Sequence, residues 1–435
     1  MQLFRIVVLI LLLFSCGETE GQEVRTVLRG KVVCHGRGVP YATLQLEGSS
    51  IGVASNDAGE YELKVPKGRE WDTVVVRSVG YEPKRFRVGE LREKGEVRLE
   101  EQAVSLREVE VKSYRTAQHL LEAAVRRMDS NYCQQTGWST FFYRDWRAVD
   151  GELFLFDEAV LNVKRKGYGQ YADKRGYVFS NERREMATNY KRLLRHRLVV
   201  YDRVLLEGKV KDAAGVEEMM EYADNEDFYD PVSAPQASFA LSRRTLAQHR
   251  FEPLKEFESG GELFYLIRST GPGHVSQAKV HYEYTIRKSN LAIVSITSVY
   301  SIGNMMAGND AWINIEYNRM AIDKDSSSWS YDVREGRYTL THYYNNRTLH
   351  VGTGDRWHFE AEQGWQRCVE WTLTDYALQG PTTSGEEIRV KPKDLVEVFG
   401  ESDYSADYWG HYNTVLIDST PLQLLMEKMF LLKNK

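Results

Sequence analysis

The chain has 435 residues and a formal net charge of −5, with 57 Lys and Arg against 62 Asp and Glu. Acidic and basic residues are interspersed, which excludes the concentrated basic footprint of a nucleic-acid-binding protein. A hydrophobic content of 42% allows a substantial core, and 26 tyrosines favour extended β structure over a helical bundle. The length suffices for about two to three domains.

The first predicted element is an export signal at residues 1–15. A single Arg5 precedes the apolar run Ile6–Phe14, which is too short for a transmembrane helix and is typical of a secretory signal peptide. No later segment approaches 18 continuous apolar residues. We therefore expect an exported protein that does not span a membrane by a helix.

The signal ends in Phe14-Ser15-Cys16-Gly17, which resembles a bacterial lipobox. It predicts lipidation of Cys16, with residues 16–23 as a polar tether and an outer-membrane-anchored lipoprotein as the product. The alternative is cleavage by an ordinary signal peptidase after Gly17 or Gln22, which would release a periplasmic protein.

Short apolar runs bounded by turn formers follow over residues 30–81. Ala42, Leu44 and Leu46 alternate with polar residues, as do the apolar residues of 61–65, and each alternation predicts a strand with one buried face. Asn56-Asp57-Ala58-Gly59 predicts a tight turn. The run Val74-Val75-Val76 predicts a strand buried on both sides. Together these runs predict a small β-sandwich.

The order of these runs resembles the carboxypeptidase-regulatory-like (transthyretin-like) domain family, over residues 24–112, with a last sandwich strand expected in 101–112. This family is common in envelope proteins of Bacteroidetes-type bacteria. Its domain sits beside peptidases or ahead of TonB-dependent receptors without carrying their activity. The Asp407–Asn413 loop is similar to the closing segment of uncharacterised proteins with the same front module. The resemblance implies a docking module.

A helix is predicted from Thr116 to Ser130, within a linking segment at 113–132, because its apolar residues fall at helical spacing. A large antiparallel β domain is predicted over 133–418, and a capped helix over 419–435 is expected to cover its concave side. The basic segment 166–197 and the acidic segment 206–237 are expected to be loops or short helices. The predicted strands are Trp138–Val149, Glu152–Lys164, Leu263–Ser269, Lys279–Lys288, Leu291–Ser301 and Trp312–Ala321.

The fold class predicted is therefore mainly β, with an N-terminal transthyretin-like β-sandwich followed by a large antiparallel β-sheet or half-barrel domain and a few helices. The chain has no βαβ rhythm, which argues against Rossmann and TIM-barrel folds. At 435 residues it is also too short to be a receptor with both a plug and a 22-stranded barrel.

One motif points to metal chemistry. His119-Leu-Leu-Glu122 matches the H-x-x-E zinc-ligand pair of metallocarboxypeptidases. The pair borders the apolar stripe of an ordinary helix, and in those peptidases the sandwich follows the catalytic domain instead of preceding it. A divergent zinc carboxypeptidase-like hydrolase is thus the alternative, and a pair at a helix surface is the interpretation we favour.

Other candidate ligands are scattered. His342, His350 and His358 recur every eight residues, a spacing of about 26 Å along a strand, so they are predicted to be separate sheet histidines. The acidic run Asp224–Asp230 lacks the glycine and closing glutamate of an EF-hand and is predicted to be a solvated loop. Cys34, Cys133 and Cys368 have no C-x-x-C spacing and are expected to be unpaired buried thiols, with a Cys34 disulfide as the alternative.

The sequence therefore predicts a non-enzymatic cell-envelope lipoprotein without cofactor, metal or catalytic residues. It would bind a partner protein or an apolar or glycan ligand on the concave face of the second domain. Some of its tyrosines and tryptophans would line that face, and most would be core. The candidates are Tyr168, Tyr171, Tyr177, Trp357, Trp365, Trp371 and Trp409. The further alternative is an accessory of a TonB-dependent outer-membrane transporter.

Overall fold

A computed structural model of the chain describes residues 24–100, 107–108, 114–165, 191–201, 240–301, 319–377, 388–389 and 412–416, apart from 50, 57, 79–80, 136, 151, 242, 260, 273–278 and 355–358 within those ranges. The described strands form three sheets, two in a small sandwich and one much larger, so the predicted mainly β fold is confirmed. Within these ranges no helix combines the length and apolar composition needed to cross a bilayer.

The sandwich consists of two sheets with the orders β2-β1-β5, where β8 pairs in parallel with β1, and β4-β3-β6-β7. Its elements are β1 (Val24–Cys34), β2 (Arg37–Gly38), β3 (Thr43–Leu46), β4 (Gly52–Ala54), β5 (Glu60–Pro66), β6 (Thr73–Arg77), β7 (Lys84–Arg87), α1 (Val88–Lys94) and β8 (Glu96–Arg98).

The sandwich core follows the alternation seen in the sequence. Leu44 and Leu46 of β3 face Leu63 and Val65 of β5 across one continuous apolar cluster. The three valines of β6 are all buried, as their lack of alternation predicted. Burying such side chains stabilises the fold by about 1.5–3 kcal/mol each.

The large sheet has the order β21-β12-β11-β10-β20-β19-β18-β17-β16-β15-β14-β9, with β13 also pairing with β15. Its long strands are antiparallel, because hairpins connect most neighbours. The elements of this part are β9 (Arg107–Glu108), α2 (Tyr114–Arg126), α3 (Met128–Asn131), β10 (Gly137–Val149), β11 (Glu152–Arg165), β12 (Lys191–Tyr201), α4 (Arg243–Gln248), β13 (Arg250–Phe251), β14 (Lys255–Ser259), β15 (Glu262–Pro272), β16 (Lys279–Arg287), β17 (Ile293–Ser301), β18 (Arg319–Arg334), β19 (Arg337–Gly354), β20 (Phe359–Ala377) and β21 (Ile388–Arg389).

The two faces of the large sheet have different neighbours. Helices α2 and α3 pack on one face, which we call the covered face, through Leu121, Ala124 and Met128. On the other face, at β10 and β11, Phe142 and Val160 pack against Ala54 of the sandwich. Because successive side chains of a strand point to opposite faces, β10 contributes side chains to the covered face and to the contact with the sandwich.

Two local predictions are wrong, and a third, the helix Thr116–Ser130, is confirmed with one interruption. Arg107–Glu108 pairs with β14 of the large sheet, not with the sandwich that residues 101–112 were expected to complete. The predicted helix Thr116–Ser130 is divided at Arg127, whose φ of −90° and ψ of 0° separate α2 from α3. The segment 166–197 was expected to lack strands, yet β12 begins at Lys191 and pairs with β11.

Several predictions lie outside the described residues: lipidation of Cys16, the helix over 419–435, the acidic segment 206–237 and the start of the strand at Trp312.

Candidate functional site

Three arginines stand side by side on the covered face of the large sheet. Arg147 on β10 lies directly opposite Arg367 on β20, and Arg367 lies directly opposite Arg347 on β19. Like charges at directly opposite positions repel each other, so such an alignment needs nearby anions. We call these three residues the arginine row.

Two aspartates form ion pairs with the arginine row. The Asp145 carboxylate accepts two hydrogen bonds from the Arg367 guanidinium, at 3.2 Å from Nε and 2.8 Å from Nη2. It accepts a third from Nη2 of Arg147 at 3.2 Å. Asp325 on β18 accepts two from Arg347, at 3.3 and 3.2 Å. Each of the three arginines therefore has an aspartate partner.

The row changes from buried to accessible along its length. Arg147 and Asp145 are buried, the Arg367 side chain is 13% exposed and the Arg347 side chain is 30% exposed. Burial alone would raise the pKa of Asp145, but the charges and hydrogen bonds of Arg147 and Arg367 hold that pKa well below its usual range. The carboxylate is therefore ionised at neutral pH, and solvent reaches the row at Arg347.

Polar groups continue from the row across the next strands. Asn345 donates to Asp325 Oδ1 and to Ser327 Oγ, both at 2.9 Å. Tyr300 on β17 lies opposite Asp325. Burial raises the pKa of Tyr300 and raises the pKa of Tyr282 to about 12, so both phenols are protonated at neutral pH. These hydroxyls can donate hydrogen bonds.

The other half of the covered face is apolar and aromatic. Two residues before Asp145, Tyr143 meets Trp371 edge-on with ring centroids 5.2 Å apart, and Tyr343 packs beside Trp329 at 5.4 Å. Trp329 and Trp371 are fully buried in the cluster that contains α2. The face thus joins a charged end to an aromatic end.

The opposite face of the same strands holds the junction with the sandwich. Arg144, the neighbour of Asp145, donates to Glu158 at 2.8 Å and to Glu370 at 3.5 Å. His342 Nε2 lies 3.2 Å from Glu370, and the Tyr41 ring of the sandwich lies 5.2 Å from the His342 ring. We call Arg144, Glu158, Glu370 and His342 the junction cluster.

Residues 412–416 connect both parts of the molecule at this junction. Asn413 accepts a hydrogen bond from the Lys64 backbone N–H at 2.7 Å and donates to the Lys64 carbonyl at 3.1 Å. Val415 accepts a hydrogen bond from Arg144 through its carbonyl, and its side chain packs on Phe142 and Ala54. This segment binds the sandwich to the large sheet.

A cleft of about 500 Å³ lies beside the junction, between sandwich strands β3 and β6 and the β18–β19 turn. Arg77 and Asp332 approach within 3.9 Å across it. Its lining is mostly charged and polar, and it contains none of the candidate metal ligands or aromatic ligand-binding residues that the sequence singled out.

The candidate metal ligands are dispersed. His119 lies exposed on α2, while Glu122 accepts a hydrogen bond from Gln118 at 3.2 Å. His342 belongs to the junction cluster and shares only the strand β19 with His350. Among the described residues, no His, Cys, Asp and Glu side chains are grouped so that three could hold a metal ion.

Other predicted residues are core or lie outside the described part. Cys34, Cys133 and Cys368 are buried and form no disulfide with one another, as the favoured thiol prediction expected. Trp371 is core. The side chains of His358, Trp357, Trp365, Trp409 and Asp224–Asp230 lie outside the described residues, and so do Tyr168, Tyr171 and Tyr177.

These observations define a two-part β protein: a small sandwich docked through a buried ionic junction onto a large antiparallel sheet whose other face carries an arginine row. Residues 28–111 match the family model described as the CarboxypepD_reg-like domain. The chain therefore contains a carboxypeptidase regulatory-like domain, and the strands β1–β8 fall almost entirely within it.

The chain has no match among curated proteins. Among solved structures it is similar to a domain assigned to outer membrane lipoprotein sorting from Vibrio parahaemolyticus, with 8% identity, a TM-score of 0.27, and coverage of 66% of this chain and 100% of the other. A LolA superfamily protein from Nitrosomonas europaea shows 10% identity, a TM-score of 0.20, and coverage of 59% and 92%. TM-scores this low do not establish a shared fold.

Proposed function

We propose that this protein is a non-enzymatic, lipid-anchored cell-envelope protein that binds a ligand on the covered face of its large sheet. The ligand class we propose is an apolar molecule with an anionic end group. The observation that carries the proposal is the arginine row, which is accessible to solvent at Arg347 and lies on the same face as a dense set of aromatic side chains.

The chemistry of the row favours an anion. Guanidinium groups bind carboxylates and phosphates through paired, charge-assisted hydrogen bonds, and these are about twice as strong as neutral ones. Arg347 is the most exposed member of the row, so a carboxylate or phosphate would reach the row there. The apolar part of the ligand would then lie toward the aromatic half of the same face.

The envelope location rests on the signal at residues 1–15 and on Cys16. Incorporation of a labelled fatty acid into the wild-type chain, and its loss in Cys16→Ala, tests the anchor. Persistent labelling of Cys16→Ala would refute lipidation at this residue.

Ligand binding is tested by calorimetry of the chain from Gly17 onward with dodecanoate and with dodecanol, which share a tail and differ in charge. We expect dodecanoate to bind about 10- to 100-fold more tightly, as a charge-assisted hydrogen bond implies. Arg347→Gln should abolish that preference. Arg268→Gln is the matched control, because Arg268 is also partly exposed and paired with a carboxylate, Glu283, but lies on the opposite face of the sheet.

Equal affinities for the two probes in the wild-type chain would refute the anionic end group. Binding of a neutral oligosaccharide that is unaffected by Arg347→Gln would favour the glycan alternative. Recovery of a TonB-dependent receptor with the chain, in the absence of lipid binding, would favour the transporter accessory.

A further inference from the structure

Trp71 is exposed to solvent at the tip of the sandwich. Its exposed fraction is 84%, whereas Trp329 and Trp371 are exposed by 1% and 0%. A large aromatic side chain as exposed as this one gives up most of the stabilisation that burial would supply. Such a residue is informative when the surrounding loop holds it in place.

The Trp71 loop, residues 67–72 between β5 and β6, is fixed by several backbone contacts. Arg87 donates to the Trp71 carbonyl at 2.9 Å, and Val88 N–H donates to the Asp72 carbonyl at 3.1 Å. Arg69 and Asp72 form an ion pair within the loop. The indole is therefore presented by an ordered turn.

The register of the sandwich places this loop at the end where the chain enters the domain. Val24, the first residue of β1, pairs with Pro66, the last residue of β5, directly before the loop. At the other end of β6, Arg77 contacts Asp332 of the large domain. Trp71 thus lies beside the start of the domain and away from that contact.

The distance to a lipid anchor is short. Seven residues separate Cys16 from Val24, and a chain of that length spans at most about 25 Å when fully extended. If the anchor of the proposed function holds, on which this inference rests, the end of the sandwich that carries Trp71 is the part confined closest to the bilayer.

We propose that Trp71 is a membrane-contact residue, which places its indole in the lipid–water interface and fixes the orientation of the sandwich on the membrane. Tryptophan is enriched at membrane interfaces because its ring is apolar while its N–H can stay hydrated. The charges around Trp71 nearly balance, with Lys67, Arg69 and Arg87 against Glu70 and Asp72. Zwitterionic lipid is therefore the expected partner, and attraction to anionic lipid is secondary.

The test replaces the lipid by an artificial tether, so its outcome does not depend on lipidation. The chain from Gly17 onward, with an N-terminal hexahistidine, is bound to nickel-chelating phosphatidylcholine vesicles that contain brominated lipid. Trp71 is one of nine tryptophans, so we expect the vesicles to quench about a ninth of the emission in the wild-type chain and none in Trp71→Phe.

Trp71→Phe combined with Val333→Trp is the control, because Val333 is also partly exposed but lies near the end of β18, beside the Arg77 end of β6. We expect no quenching of this variant. Equal quenching of the wild type and Trp71→Phe, quenching of neither, or quenching of the control would each overturn the proposal. Fatty-acid labelling of Cys16 reports separately on the anchor.

Discussion

We expect the removal of Arg144 to lower the free energy of unfolding more than the removal of any other charged residue in the junction. Its guanidinium is buried and serves two buried carboxylates, Glu158 and Glu370, as well as the Val415 carbonyl. Arg144→Met keeps the length of the side chain but leaves both carboxylates without this cation. Breaking a buried ion pair by removing one partner costs about 3–5 kcal/mol, and we expect a value in or above that range.

The comparison variant is Arg268→Met. The Arg268–Glu283 pair has a similar length, 2.7 Å, but its side chains are 44% and 37% exposed, so its loss should cost only about 0–1 kcal/mol. Both free energies are obtained from urea unfolding followed by near-ultraviolet circular dichroism. The contrast isolates burial, because an arginine–glutamate pair is lost in each case.

A triple variant tests the physical reason. If the cost of Arg144→Met comes from carboxylates left charged and buried, then adding Glu158→Gln and Glu370→Gln should recover part of the lost stability. An Arg144→Met variant no less stable than Arg268→Met would refute the reasoning. A triple variant that is less stable than Arg144→Met alone would show that the carboxylates stabilise the junction through other contacts.

Three further predictions follow from the same contacts. Burial raises the pKa of Glu370, but the hydrogen bond from His342 and the charge of Arg144 lower that pKa overall. Its contribution to stability is therefore present above pH about 4.5 and is lost as the pH falls through the lower folded value. Glu370→Gln should flatten the loss of stability below pH about 4.5, and an unchanged slope would contradict this. Gly59→Ala should lower the free energy of unfolding in urea by about 2–4 kcal/mol, because φ is +83° and the new Cβ would lie 2.3 Å from the Val32 carbonyl oxygen. Gly48→Ala is the control, because Gly48 also has a positive φ but has open space around it, and it should lower that free energy by only about 1–2 kcal/mol. The three buried cysteines of the chain from Gly17 onward should react with a thiol reagent only after unfolding, and rapid labelling of the native protein would contradict their burial.

The elements of the fold were predictable wherever a local pattern decides the structure. The alternation of Ala42, Leu44 and Leu46 identified a half-buried strand, and the apolar stripe of α2 identified the face that packs on the sheet. The two-residue strand at Arg107 was misassigned, because a short segment carries no information about which sheet edge it will join.

The arginine row could not be found from the sequence. Arg147 and Arg367 are 220 positions apart, and only the strand register brings them face to face. A pattern of period two tells which residues of one strand share a face, but it does not tell which strand lies alongside. The register shift between Ser330 and Tyr331 also changes the facing residues without any signal in the composition.

Strand β10 connects the two candidate roles of the protein. Arg144 holds the junction on one face, and Asp145, the next residue, holds the arginine row on the other. The junction needs a cation and the arginine row needs an anion, and adjacent residues can supply both because adjacent side chains of a strand point to opposite faces. The strand is paired along its length with β11 and β20, so it cannot slip by one residue without burying Arg144 among the aromatic residues of the covered face. The same register that docks the sandwich therefore also aligns the arginines, and a ligand bound at the row is held in a fixed position relative to the domain that we propose contacts the membrane.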